Sequence, residues 1–354
     1  MSSSTVAPPQ RPHRAARIED VLHDVLVAAL QRRGWTPRVL PYPGYGTGGR
    51  VRVLGRVLLC PPGRPRREAE DARGWRRFFG AYLTGACVEV EIGGLVTTVV
   101  SERGGYLDTL IEAPSDPVPG AGRTQAVLRI GGSTSTADLF VVPAGARTGL
   151  VSDIDDTVVV TWLPRPLLAF WNTFVRHESA RRPVPGMARL YQEVVRRDPD
   201  TFVVYLSTGA WNVAPALAGF LARHGFPPGP LLLTDWGPTT TGWFRSGAEH
   251  KRAQLQRLMA ELPQLRWLLV GDDGQRDPML YREAAEAAPE RVRAVVLRQL
   301  TPSEQVLAHG TPAPLPEADP QRQPAPSDVP TVTAADGDAL LAALGTQGQL
   351  PPPA

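Results

Sequence analysis

Apolar and polar positions along this chain fall into three textures, each predicting a different kind of element. From Ile18 to Arg33, residues Ile18, Val21, Leu22, Val25, Leu26 and Leu30 recur at helical spacing, which predicts an amphipathic helix. Between Trp35 and Val142 the apolar residues come in short runs, VRVLGRVLLC, CVEVEIGGLVTTVV, AVLRI and DLFVV, broken by Gly and Pro. That texture predicts a small β-rich, sandwich-like domain, with one helix packed on it over Glu68 to Tyr82. From Gly149 the strands become apolar almost throughout: GLVSDI (149 to 154), TFVVYLS (201 to 207), LLLTD (231 to 235), WLLVGD (267 to 272) and VRAVVL (292 to 297). Helical patterns at 186 to 197, 211 to 224, 247 to 261 and 277 to 287 separate them. Such strands need cover on both faces, so the pattern predicts a doubly wound parallel sheet of the α/β class.

The two ends read differently. Residues 1–17 are polar and basic, and are expected to be a disordered arm. The last 53 residues hold 11 of the 37 prolines and are expected to be a disordered tail, with at most a short helix at Asp338 to Leu344. The expected organisation is therefore an arm over 1–17, a helix plus β-rich domain over 18–147, an α/β domain over 148–300 and a Pro-rich tail over 301–354.

Composition narrows the classes. With 354 residues, 42% hydrophobic and 21% charged, the chain can bury a substantial core over about two domains. Its formal charge of +3 is too small an excess to imply a nucleic-acid partner. The excess is uneven, since residues 1 to 80 hold 15 Arg against 6 acidic side chains. Two cysteines, Cys60 and Cys87, build neither a disulfide framework nor a cysteine-only zinc site, and are read as reduced and cytoplasmic. The N-terminus has no apolar run of the length a secretory signal needs, and the uncharged run from Thr201 to Ala222 is better explained by a strand followed by a helix than by a membrane span. Of the 38 basic residues, 37 are arginine; Lys251 is the sole lysine.

In an α/β sheet the reactive groups gather at the carboxyl ends of the strands. The first strand runs into Asp153, Ile154, Asp155, Asp156 and Thr157, three acids in five residues that ask for a positive partner such as a divalent cation. In an Asp-x-Asp pair one carboxylate can attack phosphorus while the other protonates the leaving oxygen and then activates water; a solvated acidic turn is the plain alternative. The second strand ends at Ser207, Thr208 and Gly209, a hydroxyl and backbone amides that make an anion site at a helix start, or an ordinary cap. Lys251 follows in SGAEHK, where a compact ammonium suits phosphoryl oxygens and carboxylates. The fourth strand ends GDDGQRD, offering Asp272, Asp273 and Asp277 as oxygen ligands, with Asp277 before Pro278 also readable as a helix cap.

Acid pair, hydroxyl, lysine and acid pair in this order resemble the four motifs of the haloacid dehalogenase superfamily. More narrowly, SDIDDTV, PVPGMARLY, YLSTGAWN, TDWG, FRSGAEHK and VGDDGQRDPMLY resemble the catalytic domain of the phosphatidate phosphatase family related to actin patch protein 1. Two departures stand out: Gly209, Ala210 and Trp211 replace a Ser-Pro-Trp-like segment, and Asp273 stands where Ser or Asn is usual. The resemblance implies magnesium-dependent hydrolysis through an aspartyl phosphate. Asp153 is then the nucleophile, Asp155 the general acid and base, and Ser207 and Lys251 hold the phosphoryl group. Asp153, the backbone carbonyl of Asp155, and Asp272 are the implied metal ligands, with Asp273 and Asp277 available to complete the shell. Thr157, Thr208, Gly209 and Arg245 are the implied substrate-side residues.

Phosphatidate as substrate is an implication of the same resemblance. The segment VVVTWLPRPLLAFWNTFVRHESARRPVPG, apolar, aromatic and carrying Arg165, Arg176, Arg181 and Arg182, suits a peripheral contact with a membrane or burial against the sheet. Trp236, Trp243 and Arg245 are further headgroup candidates. Two alternatives stay open: a phosphatase of a soluble sugar or nucleotide phosphate, and a phosphorylatable signalling or binding protein without turnover. Gly44, Gly46 and Gly49 match a dinucleotide spacing but precede a strand-like run, which argues against a cofactor loop. The six histidines form no metal pattern; His250, beside Lys251, could reach the site, with a surface role as the plainer reading.

Overall fold

The computed structural model describes residues 14–62, 81–112, 122–160, 182–234, 247–274, 276–302, 304–305 and 328–352. Helix α1 spans Arg14–Arg32, so the last residues of the expected arm, 14–17, are helical. It leads into seven strands: β1 Thr36–Gly46, β2 Arg50–Cys60, β3 Cys87–Ile92, β4 Leu95–Val100, β5 Tyr106–Glu112, β6 Gly122–Ile130 and β7 Ser133–Val141. The helix expected over Glu68 to Tyr82 lies outside the described residues, apart from Ala81 and Tyr82, of which Tyr82 bridges to Leu58.

Period-two alternation sets the faces. In β3 Val88, Val90 and Ile92 point inward while Cys87 and Glu89 point to solvent. Gly93 and Gly94 close the β3–β4 hairpin with φ of 55° and 87°, the left-handed pair that a two-residue hairpin turn demands. The strand order is β4-β3-β6-β7-β1-β2-β5, antiparallel throughout except where β1 runs parallel to β7. Where a sandwich-like domain was expected, hydrogen bonding is unbroken through seven strands. Val39, Val53, Val90, Val99, Leu107, Leu128 and Leu139, one from each strand, share a single core, so the sheet curves over itself. A register shift between Tyr42 and Tyr45 marks where the long β1 strand departs from regular pairing, a device that adds twist and bend.

The second sheet has six strands: β8 Thr148–Ser152, β9 Phe202–Ala210, β10 Leu231–Thr234, β11 Arg266–Asp272, β12 Val292–Arg298 and β13 Thr331–Ala334. All neighbours are parallel, in the order β10-β9-β8-β11-β12-β13. Helices α2 Met187–Arg197, α3 Ala214–Arg223, α4 Gly247–Glu261, α5 Asp277–Ala287 and α6 Gly337–Thr346 connect and follow them. No described helix is long and apolar enough to cross a membrane. Starting from β8, the chain moves outward to β10, then returns to β11 on the other side of β8. The order therefore reverses between β8 and β11, and a crevice at the carboxyl ends belongs there.

The expectation of a disordered tail fails for residues 328–352, apart from the short helix expected at Asp338 to Leu344, which forms within α6. β13 pairs with the β12 edge from Val295 to Arg298, and Leu340 and Leu344 of α6 are buried in the same core as the strands. The tail's proline content hid a four-residue strand whose reason to form is the open edge beside it.

Candidate active site

The first strand's exit loop is turned sharply by backbone bonds. Asp153 donates its amide to the Val270 carbonyl and so continues the β8–β11 ladder, while Val158 and Val159 both donate to the carbonyl of Ile154. Asp156 takes φ 57°, the one left-handed non-glycine among the described residues, with its amide donating to the Val159 carbonyl. Asp153, Asp155, Asp156 and Thr157 are all buried as a result. Burying several carboxylates demands compensation.

Part of it is Lys251, at the start of the second turn of α4, itself only 6% exposed. Its Nζ lies 2.7 Å from Asp153 Oδ1 and 2.6 Å from Asp277 Oδ1. Burial works against that ammonium, but the charges of Asp153 and Asp277 outweigh it and hold its pKa above the ordinary lysine range. At the end of β11, Asp272 accepts the Gly274 amide at Oδ1 (2.8 Å). Burial pushes the Asp153 carboxyl well above the usual carboxylate range, with Lys251 opposing and Asp277 and Asp155 adding to it. Asp272 is raised likewise, by burial first and then by Asp277, Asp153 and Asp156.

One ammonium thus faces three buried acids. Oxygen atoms of Asp153, Asp272 and Asp277 lie within 4.8 Å of one another, and Oδ2 of both Asp272 and Asp277 is buried with no hydrogen-bond partner among the described residues. An all-carboxylate set with orphaned oxygens fits a hard divalent cation, which would satisfy those oxygens and lower the raised carboxyl pKa values.

Ser207 Oγ lies 3.4 Å from Asp155 Oδ2 and accepts the Gly209 amide at 3.0 Å. The expected helix start at this point is not what forms. β9 runs on to Ala210 because it pairs with β10 as far as Thr234, whose Oγ1 also donates to the Thr208 carbonyl; a short 3-10 turn, Trp211–Val213, then precedes α3. Ser207 is therefore a strand residue beside Asp155, with Thr208 and Gly209 extended behind it. Thr157 Oγ1 is buried without a hydrogen-bond partner among the described residues.

Asp273 does not join the acid cluster. Its amide donates to the Arg298 carbonyl and its Oδ1 accepts the Leu300 amide at 2.8 Å, which turns it toward the segment after β12. Asp277 is the first residue of α5, not its cap, and its carboxylate goes to Lys251. The Asp155 carboxylate is by Ser207, apart from the triad. His250 is buried, against the surface role expected. Gly44 and Gly46 lie in β1, which hairpins into β2, and no helix follows them. Arg245, Trp236, Trp243, Arg165, Arg176 and Arg181 lie outside the described residues; Arg182 is exposed.

One residue was missed from the sequence. Arg298, at the end of β12, is buried and reaches the Asp156 carbonyl at 2.7 Å. In a chain of 37 arginines its only signal was position, at the end of the fifth strand.

The class defined so far is a parallel α/β domain with an acid-pair loop, a buried lysine and a carboxylate triad at neighbouring strand ends. Residues 148–299 match the family described as phosphatidate phosphatase APP1, catalytic domain. Over 193 residues the chain is 26% identical to phosphatidate phosphatase APP1 of Saccharomyces cerevisiae, covering 54% of this chain and 30% of that protein. Over 162 residues it is 25% identical to an uncharacterised protein of Schizosaccharomyces pombe, covering 45% and 26%. The chain thus spans under a third of the length of these relatives. Among solved structures, a carbohydrate acetylesterase from Xanthomonas citri aligns with 11% identity and a TM-score of 0.28, over 75% of this chain and 68% of that one.

Proposed function

We propose that residues 148–299 form a doubly wound phosphatase domain of the haloacid dehalogenase type that hydrolyses a phosphomonoester, with phosphatidate as substrate and diacylglycerol as product. The observation that carries this reading is the meeting of Asp153, Lys251, Asp272 and Asp277 at the reversal point of the sheet, with Asp155 beside Ser207. The name of the yeast relative supports the lipid substrate.

The chemistry divides among these side chains. An Asp153 carboxylate oxygen attacks phosphorus, the phosphorus–oxygen ester bond breaks, and Asp155 gives its proton to the departing alkoxide. Water, deprotonated by Asp155, then attacks the aspartyl phosphate, releasing orthophosphate and restoring Asp153. The Ser207 hydroxyl and the Lys251 ammonium hold the phosphoryl oxygens, in a buried setting where each such contact is strong. Magnesium, held by Asp153, Asp272 and Asp277, would offset the repulsion between the carboxylates and the anionic substrate. Thr157, Thr208 and Gly209 line the substrate side, and Arg245 is assigned to the headgroup. The protein acts in the cytoplasm, with peripheral contact at a lipid surface.

Phosphate release from phosphatidate in mixed micelles and from a soluble phosphomonoester, with magnesium or with chelator, tests the reading. We expect magnesium-dependent release from the lipid, and a loss of at least ~10³-fold in Asp153→Asn, the scale on which removal of a nucleophile acts. Wild-type turnover in that variant would refute the mechanism, and release from the soluble ester alone would refute the lipid substrate.

A further inference from the structure

We propose that Arg298 is a positioning residue for the loop that carries Asp153 and Asp155, and that residues 328–346, beyond the segment matched to the catalytic family, complete its mount. The activity arm of this proposal rests on the catalytic reading above; the structural arm does not.

Two lines of contact converge on the loop. The first runs through the Arg298 guanidinium, which is 5% exposed and serves three acceptors in three directions. Its Nη1 donates to the Asp156 carbonyl (2.7 Å), its Nη2 to Glu304 Oε1 (2.6 Å) and its Nε to the Ala335 carbonyl (3.3 Å). Asp156 sits between Asp155 and Thr157 in a left-handed conformation that a non-glycine residue holds only when its surroundings compel it. The Val159 carbonyl takes its amide, and Arg298 supplies the donor to its carbonyl. A planar fork can do this while also gripping Glu304 and Ala335; a single ammonium cannot face all three.

The second line begins at α6. Its first residue, Gly337, donates to the Pro185 carbonyl at 2.9 Å, and Gly186, at φ 73°, meets Gly337 so closely that a Cβ on Gly337 would lie 2.2 Å from the Gly186 carbonyl carbon. Only a glycine pair permits that approach. From there Val184 donates to the Val158 carbonyl, and Val158 donates to the carbonyl of Ile154. The two lines enter the loop at two nearby points, through Asp156 and through Val158. Both depend on the tail that β13 anchors to the β12 edge.

The chemistry needs this mount because Asp153 and Asp155 must face one phosphorus atom from consecutive turns of the same loop, and a displacement of about 1 Å can cost ~10²-fold in rate. The full-length protein is compared as wild type, Arg298→Met and Arg298→Lys by amide hydrogen exchange and by phosphatidate turnover in magnesium. In Arg298→Met we expect exchange in residues 154–159 to speed at least ~10-fold, with peptides of α2 and β3 unchanged, the pattern of a local opening. We expect kcat to fall at least ~10-fold with KM held within about threefold, and Arg298→Lys to lie between it and wild type. If Arg298→Met does not fold, Glu304→Ala decides, with exchange in 154–159 expected to rise about threefold. Unchanged exchange at 154–159 in a folded variant, or a uniform increase across both sheets, overturns the proposal. A wild-type protein that hydrolyses nothing overturns the catalytic reading and leaves the exchange result to judge the mount.

Discussion

Lys251 stands where charge and size both matter. Its ammonium fits between Asp153 and Asp277 at 2.7 and 2.6 Å, and the residue is only 6% exposed. Lys251→Arg keeps the charge but brings a planar fork that donates from its edge. We expect kcat to fall at least ~10²-fold, read by steady-state kinetics beside a melting curve that checks that the variant is folded. Retention of half the activity would end the role assigned to this lysine. The same residue shows how far the sequence could be read. A lone lysine among 37 arginines signalled a constrained site, and the strand-end rule located Asp153, Asp155 and Asp272. The pair Asp272–Asp273 could not be resolved that way. Neighbouring residues at a strand end point to opposite sides, and which side faces the site depends on β12, whose Arg298 carbonyl and Leu300 amide capture Asp273.

At the scale of elements, α4 ties the two sheets together, so the seven-stranded sheet bears on the helix that holds Lys251. Arg52 of β2, 1% exposed, grips Asp108 of β5 through two bonds of 2.7 and 2.6 Å and donates to Tyr45 Oη and to Gln254 of α4, each at 2.9 Å. Arg257 of α4 also donates to Asp108 (2.9 Å), and Tyr45 donates to Glu261 (2.7 Å). Burial raises the Asp108 carboxyl, but Arg52 and Arg257 outweigh it and leave its pKa below the ordinary value. A carboxyl depressed by folding stabilises fully above its unfolded pKa of about 3.9, and that stability is lost as pH falls through the lower folded value. Asp108→Asn has no such stability to lose. The gap in thermal midpoint between wild type and this variant should therefore be widest at neutral pH and shrink as pH falls below about 4; a constant gap would remove Asp108 from the account. None of this network was visible in the sequence, because Arg52, Asp108 and Gln254 belong to separate elements and read singly as surface polar residues. The elements were plainer. Helices at 247 to 261 and 277 to 287 formed as their periodicity indicated, whereas β9 outran its expected end because β10 holds Thr208 to Ala210 extended.

For the whole molecule, the two sheets share buried residues. Tyr42, Tyr45 and Leu54 from the first sheet lie in the same core as β8, β9 and β11. Tyr42 stacks on Trp211 at 4.3 Å between ring centres, while Tyr45 meets Phe202 at 5.6 Å and Phe202 meets Trp267 at 6.3 Å, an aromatic line from one sheet into the other. The change of texture at Gly149 was real as a change of element type, but it could not show whether the two textures share a core. Shared burial has a thermodynamic signature: two sheets that stabilise each other unfold together. Urea unfolding followed by tryptophan fluorescence, to which the buried Trp211 and Trp267 contribute among eight tryptophans, and by far-ultraviolet circular dichroism, which reports both sheets, should give coincident transitions. Tyr45→Ala removes a buried ring and the hydroxyl that pairs with Glu261 and Arg52, at a cost of roughly 3 kcal/mol. If the sheets are coupled, this variant moves the whole transition to lower urea and keeps the probes together. If they are independent, the circular dichroism curve splits into two steps, and only the step belonging to the first sheet shifts.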